Sequence, residues 1–452
     1  NEEKSVYQLK HIKNEEEYAF FETKLELETK ALYYYYFSFE ASGKFQYYKK
    51  ENITGNTSMT KEEQWKLDVN FWVPEWAKGV IMYHIFVDRF RHSPIVKMKQ
   101  MIRRVIHNDW NEDPVLGPDE NGYWNIDFFG GNLKGIEESL DYIKSLGVTI
   151  LYLSPIVYGQ SNHRYDTSDY EKVDPYAGCE KHLKELCNSA HQRGMKVILD
   201  GVFNHTGSDS KYFNKYGTFP NLGAYQSEKS PYYSFFKRIW NQGKSTFSYW
   251  WGMDNLPECN GNSEEWQEYI CGKGGIIDLW FSWGIDGIRG DVVDELTDHF
   301  IERILEAIRR NKPDGFFIGE VWKNPMRMNR GYLSSGKGMH SVMNYLMIDA
   351  LIRYFKYVDT GKLESVMKEI LEEYPTQTIQ SLMNFTSTHD ISRMIEILGC
   401  NCFQRFGEWA WNLQNDNLDW IKNHKMTEEE IQHGKRLLKT YVFALIFLPG
   451  IF

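Results

Sequence analysis

From Pro74 onward the chain alternates short apolar runs with helical patterns, and this alternation restricts the fold more than any other feature of the sequence. Residues 80–86, 148–153, 196–200, 285–289, 316–319, 342–344 and 379–383 read as strands, with helical patterns such as 180–193, 296–310 and 361–373 between them. Repeated βα units with polar motifs at the strand ends predict an α/β protein, a TIM (β/α)8 barrel whose reactive residues gather at one rim. Thr427-Glu428-Glu429-Glu430 is a capping-box start for a helix running to about residue 448, where Pro449-Gly450 stops it. Only Ile451 and Phe452 follow, so seven strands are counted and the eighth is barely begun. A barrel short of one strand has two unpaired edges, so the chain reads as a fragment truncated at the eighth strand.

Residues 1–72 have a different texture. Lys24 to Glu28 alternates polar with apolar, and a Tyr-rich extended run follows from residue 31 to 40, with turn signals at Ser42-Gly43 and across 52–58. These features predict a small N-terminal β-domain, sandwich-like. The barrel then occupies 73–205 and 263–452, interrupted by an excursion domain at 206–262, rich in Gly, Tyr, Ser and Trp. A second, Asp- and Asn-rich loop spans 106–132.

Composition narrows the function. A net charge of −10 without any Lys/Arg block argues against nucleic acid or an anionic membrane surface as partner and favours an uncharged one. The longest apolar run, 441–448, is far short of the roughly 20 residues of a membrane span. Six cysteines are too few for a disulfide scaffold and none has zinc-site spacing; they read as free thiols, with Cys259 and Cys271 the pair hardest to exclude. Asn1 onward has neither an initiator Met nor an apolar leader, which reads as a trimmed start. The compartment stays open, with the cytoplasm favoured.

Three carboxylates sit at strand ends: Asp291 in Gly287-Ile288-Arg289-Gly290-Asp291, Glu320 in Gly319-Glu320-Val321-Trp322, and Asp390 in Thr388-His389-Asp390. Cleaving a glycosidic acetal takes one ionised and one protonated carboxyl beside the same bond. Arg289 and Asp291, two apart in a strand, face the same way, so Asp291 is expected to be held ionised by the guanidinium. Glu320 follows an apolar strand, and desolvation is expected to raise its pKa toward that of a general acid. Taken singly, each has an ordinary alternative: an ion pair between strand and helix, a helix cap, or a polar loop. Asp200 to His205 adds Asp200, Asn204 and His205 at the end of the third strand, His205 being suited to a sugar hydroxyl. The 161–170 segment offers Tyr165 as a stacking platform; each of these is also an ordinary polar loop when read alone.

As an ordered set, Asp200 to His205, Gly287 to Asp291, Gly319 to Trp322 and Thr388 to Asp390 resemble the four signature regions of the α-amylase family of glycoside hydrolases. Tyr83 to Phe90 and Leu151 to Pro155 resemble its first two barrel strands, so the likeness covers about 74–452. The β-rich N-terminal segment is similar to the neopullulanase and cyclomaltodextrinase branch, in which it has a carbohydrate-binding character and offers a surface for oligomerisation. The resemblance implies Asp291 as nucleophile, Glu320 as acid and base, and Asp390 as the group that grips and distorts the sugar. Tyr165, Asp200, His205, Arg289, Trp322 and His389 complete the substrate site. Retention of configuration implies carboxyls about 5 to 5.5 Å apart.

Some positions depart from the pattern. Gly290 replaces a larger apolar residue and faces the helices, which implies altered packing and unaltered chemistry. Family members often bind calcium near the loop after the first strand, where an Asp commonly follows the Gly pair; here Gly130-Gly131 precede Asn132. A structural calcium through Asp109, Asp113 or Asp127 and a plain solvated loop remain even alternatives, and no metal ligand is assigned; no organic cofactor is implied. The activity implied is retaining hydrolysis of α-1,4-glucosidic bonds in starch, maltooligosaccharides, pullulan or cyclodextrins. Its rivals are an α-glucan transglycosylase and a non-catalytic glycan-binding barrel.

Overall fold

A computed structural model describes residues 4–27, 32–50, 53–54, 60, 63–69, 71–101, 103–120, 122–241, 243–328, 330–333, 336–400 and 425–452. The chain divides into two units, Asn1–Phe71 and Trp72–Phe452, one residue before the boundary expected from sequence.

In the first unit Lys10–Glu15 pairs antiparallel with Tyr18–Glu22, and Leu32–Tyr35 with Trp65–Asp68. Phe37–Ala41, Lys44–Tyr48 and Ile53–Thr54 form a three-stranded meander. The rings of Tyr35, Phe37 and Tyr48 lie 5.8, 5.5 and 5.1 Å from that of Trp65, so this part of the aromatic run packs against itself. The strand expected at 24–28 does not form over 24–27. The hairpin lies one step earlier because Glu16, at φ 53, makes the turn and the aromatic run Tyr18–Glu22 pairs back. Glu28, Ala31 and most of the expected turn at 52–58 lie outside the described residues.

The second unit is built on a parallel sheet. Its strands are β1 (Ile81–Ile85), β2 (Val148–Leu153), β3 (Lys196–Gly201), β4 (Gly287–Gly290), β5 (Phe316–Gly319) and β6 (Ser341–Val342), hydrogen-bonded in that order. Every residue of β4, β5 and β6 is buried, as strands covered on both faces must be. Helices cover the outside. In Asp298–Asn311 the Thr297 side chain caps the first turn, and Ile301, Ile304, Leu305 and Ile308 turn one stripe inward. Each such side chain contributes about 1.5–3 kcal/mol of transfer free energy.

Beyond β6 the ring continues through single residues. Met383 bridges Met343 on one side and Ile451 on the other, both in parallel sense. The seventh strand expected at 379–383 is therefore reduced to one bridging residue. Pro375 starts a short helix, Thr376–Ile379, that takes up the beginning of the apolar run. β1 and β6 remain the outer strands of the six-stranded sheet, as expected of a barrel lacking its eighth strand, and among the described residues a few isolated bonds lie between them. Ile451 N donates to Leu382 O (2.7 Å), Phe452 N to Val80 O (2.9 Å), and Met82 N to Phe452 O (2.6 Å). Two residues thus join the seventh position back to β1 at one end of the ring.

The excursion carries an antiparallel hairpin, Arg238–Asn241 with Lys244–Phe247, and an aromatic core in which Phe213 lies 4.9 Å from both Phe236 and Phe247. Parallel pairing of Val105–Ile106 with Asp127–Phe128 ties the two ends of the other long loop together. Cys179, Cys187, Cys259 and Cys271 are free thiols. Cys400, expected to be free, is disulfide-bonded, and Cys402 lies outside the described residues. No helix among the described residues is long and apolar enough to cross a membrane.

Candidate active site

Register brings the chemistry together. Asp200 on β3 is opposite Arg289 on β4, and Gly201, Gly290 and Gly319 line up across β3, β4 and β5. Asp291 and Glu320 each follow the last residue of their strand, so they emerge side by side at one rim. A Cβ on Gly290 would run into Val293 and Phe317, so the space behind the strand is already filled.

Arg289, fully buried, holds the rim together. Its Nη1 donates to Asp200 Oδ1 (2.9 Å) and Asp291 Oδ1 (2.8 Å), and its Nη2 lies 3.0 Å from Glu320 Oε2, off the line of a hydrogen bond. Asp200 Oδ2 accepts from the hydroxyls of Tyr152 (2.6 Å) and Tyr165 (2.7 Å). Asp200, grouped with the substrate ligands from sequence, thus meets three protein donors. Glu320 accepts from Trp322 Nε1 on Oε1 (2.9 Å) and from Val292 N on Oε2 (3.0 Å). Val292 has φ 44 and ψ 46, a left-handed conformation that a β-branched residue rarely adopts. The turn of its backbone aims the amide that follows Asp291 at the neighbouring carboxylate.

Asp390 stands at the open side, with a quarter of its side chain exposed, and accepts from Tyr345 OH (3.3 Å) and Thr388 Oγ1 (3.4 Å). His389 Nε2 is 3.2 Å from Asp390, and its ring stacks on Tyr165 at 4.9 Å. Trp322 stacks on Tyr345 at 4.3 Å. His205 stacks on Trp250 at 4.9 Å, and its two ring nitrogens, fully buried, meet no hydrogen-bond partner among the described residues. Buried polar atoms of this kind suit an incoming hydroxyl.

The electrostatics invert one expectation. Burial and then the charges of Glu320 and Asp200 push Asp291 well above the usual carboxylate range, although Arg289 opposes them. Burial also works to raise Glu320, but Arg289, the Trp322 indole and the Val292 amide outweigh it and bring it below its ordinary value. The sequence suggested the reverse because it assigned Arg289 to Asp291 alone. Three carboxyls face one guanidinium, so the cluster favours holding a proton. Asp390 is pushed up to about 6 by burial and the Glu320 charge, and burial holds His389 down at about 4 and His205 at about 3.

Residues 84–410 match the alpha amylase, catalytic domain family model. The chain belongs to the alpha-amylase family. An amylopullulanase from Thermoanaerobacter thermohydrosulfuricus is 35% identical over 85% of this chain, which spans 29% of that protein. Neopullulanase 2 from Thermoactinomyces vulgaris is 29% identical over 86% of this chain and 63% of its own length. Among solved structures, the type III pullulan hydrolase from Thermococcus kodakarensis superposes with a TM-score of 0.65 at 28% identity, covering 90% of this chain and 68% of that one.

Two of the three residues weighed for a calcium, Asp127 and Asp109, are already bonded to protein donors. Asp127 accepts from Asn162 Nδ2 (3.0 Å), Arg89 Nη2 (3.1 Å) and Val115 N (3.1 Å), so a cation and two other donors already occupy it. Asn132 caps a helix, and Asp109 Oδ1 accepts from Asn111 (2.9 Å). No three His, Cys, Asp or Glu side chains among the described residues are placed to hold a metal.

Sequence reading missed Tyr152, Tyr345 and the Val292 amide. Tyr152 left a trace, a polar-tipped residue inside an apolar strand that must find a hydrogen-bond partner. Tyr345 begins a helix far along the chain, and the Val292 contact depends on a dihedral angle, so neither left one.

Proposed function

We propose that this chain is a retaining α-glucan hydrolase. The observation that carries the reading is the sharing of one buried guanidinium by Asp291 and Glu320 at adjacent strand ends. Asp291 attacks the anomeric carbon of the sugar and forms a glycosyl ester as the glycosidic C–O bond breaks. Glu320 delivers a proton to the departing oxygen and then takes one from the water that cleaves the ester. The paired carboxyls hold the proton jointly, and positive charge growing at the anomeric carbon favours the anion on Asp291, leaving the proton to Glu320. Asp390, His389 and His205 hold ring hydroxyls, and Tyr165 and Trp322 wall the cleft. Arg289 and Asp200 keep the carboxyls in place.

We take the substrates to be starch, pullulan, maltooligosaccharides or cyclodextrins, cleaved at α-1,4 links; similarity to proteins named amylopullulanase and neopullulanase 2 supports an α-glucan. Transfer of the glycosyl group to a second sugar uses the same residues, so product profiles with and without added acceptor separate the two. Asp291→Asn removes the nucleophile and Glu320→Gln the acid; the latter lowers kcat about 10²–10⁴-fold on soluble starch. Circular dichroism of both variants checks that the fold is kept. An Asp291→Asn variant as fast as the parent would leave the family fold without this chemistry.

A further inference from the structure

The carboxylates at the rim do not account for every donor of the Arg289 guanidinium. Nη1 serves Asp200 and Asp291, and Nη2 stands 3.0 Å from Glu320 without lining up on it. The Nε–H goes elsewhere. It donates to Met343 Sδ at 3.5 Å, inside the core, where both residues are buried. A thioether is a soft, weak and neutral acceptor, so it meets this donor without adding a charge to the cluster.

Register brings the sulfur there. Gly290 pairs with Gly319 and Gly319 with Val342, so Asp291, Glu320 and Met343 follow β4, β5 and β6 at one level. The Met343 amide donates to Gly319 O (3.0 Å) and its carbonyl accepts from Tyr345 N (3.0 Å), which fixes the backbone from which the side chain reaches. In a guanidinium the Nε–H and one N–H of Nη2 point along the same edge, a fork that can grip a carboxylate with two bonds. Here the sulfur takes one prong and Glu320 stands at the other. With Nε held by sulfur and Nη1 by Asp200 and Asp291, the plane is not free to turn onto Glu320.

We propose that Met343 is a positioning residue of the hydrolase, its sulfur fixing the plane of the Arg289 guanidinium and so limiting the grip of that cation on Glu320. The proposal rests on the assignment of Glu320 as the acid. An acid must carry a proton at the first step, and a guanidinium turned squarely onto it would hold it ionised. Glu320 also feels Asp291, Asp294 in the turn beyond it, His205 after β3, Tyr345 after β6, and His389 and Asp390 at the open side. A change confined to Met343 leaves all of these in place.

The test compares Met343→Leu, which keeps the volume and removes the acceptor, with Met343→Gln, which returns a neutral acceptor at similar reach. Met383→Leu makes the first change at a buried methionine whose backbone bridges Met343. Each full chain is assayed across pH on maltotriose and on α-maltosyl fluoride, which needs no acid to leave, and circular dichroism checks the fold. Met343→Leu is expected to lose about tenfold more kcat/KM on maltotriose than on the fluoride, through kcat, and to move the basic limb of the maltotriose profile to lower pH. Met343→Gln recovers most of both, and Met383→Leu matches the parent. Equal losses on the two substrates, a basic limb that stays put or moves higher, or Leu and Gln variants that behave alike would overturn the proposal. If Glu320→Gln retained full activity on maltotriose, the fault would lie in the acid assignment instead.

Discussion

Arg289 does three tasks with one planar group, and this explains why the charged residues at the rim have to be read together. Its guanidinium touches Asp200, Asp291 and Glu320, a geometry that a lysine ammonium does not reproduce. The signature segments made Asp291 and Glu320 legible because each of their motifs places a carboxylate at a strand end. Which carboxylate is held ionised was not legible, because it depends on donors that converge from separate segments. Trp322→Phe tests this balance. Losing the indole N–H removes a bond to the ionised form of Glu320, so the pKa of that group rises. Catalysis needs Glu320 protonated at the first step, so the basic limb of the kcat/KM profile should move to higher pH. A limb that stays put or moves lower would mean that Trp322 does not tune the acid.

Among the elements, those with strong local signals formed as expected. The capping box at Thr427 opens Glu428–Phe447, with the Thr427 and Glu430 side chains bonding reciprocally to backbone amides. The helices over 180–193, 296–310 and 361–373 appear within two residues of expectation. The apolar run at 379–383 reads as a strand, whereas Pro375 starts a helix that takes its first residue. The bonds of Ile451 and Phe452 to Leu382 and Val80 were not legible, since two residues carry no periodicity. Ile451 is fully buried and bridges Met383, so Ile451→Ala should cost about 2–5 kcal/mol in urea unfolding. A change below about 0.5 kcal/mol would mean that this junction does not hold the ring.

For the whole molecule, acid stability follows from a buried group remote from the catalytic rim. Burial by itself would raise Asp286, but His191 Nε2 (2.7 Å), Lys312 and Val197 N (2.8 Å) bond it and bring its pKa from 3.8 to about 2. A depressed carboxylate stabilises the fold above its unfolded value and loses that contribution as pH falls through the folded one. About 2 kcal/mol should therefore disappear between roughly pH 4 and pH 2, and Asp286→Asn should flatten Tm against pH over that range. An equally steep decline in the variant would place the acid sensitivity elsewhere. The covalent step at Asp291 has a more direct test. Glu320→Gln incubated with α-maltosyl fluoride, which needs no acid to leave, should accumulate a glycosyl ester because the base for hydrolysis is gone. Peptide mass spectrometry is expected to find one maltosyl adduct, on the peptide containing Asp291. No adduct under turnover, or an adduct on another carboxylate, would contradict the mechanism.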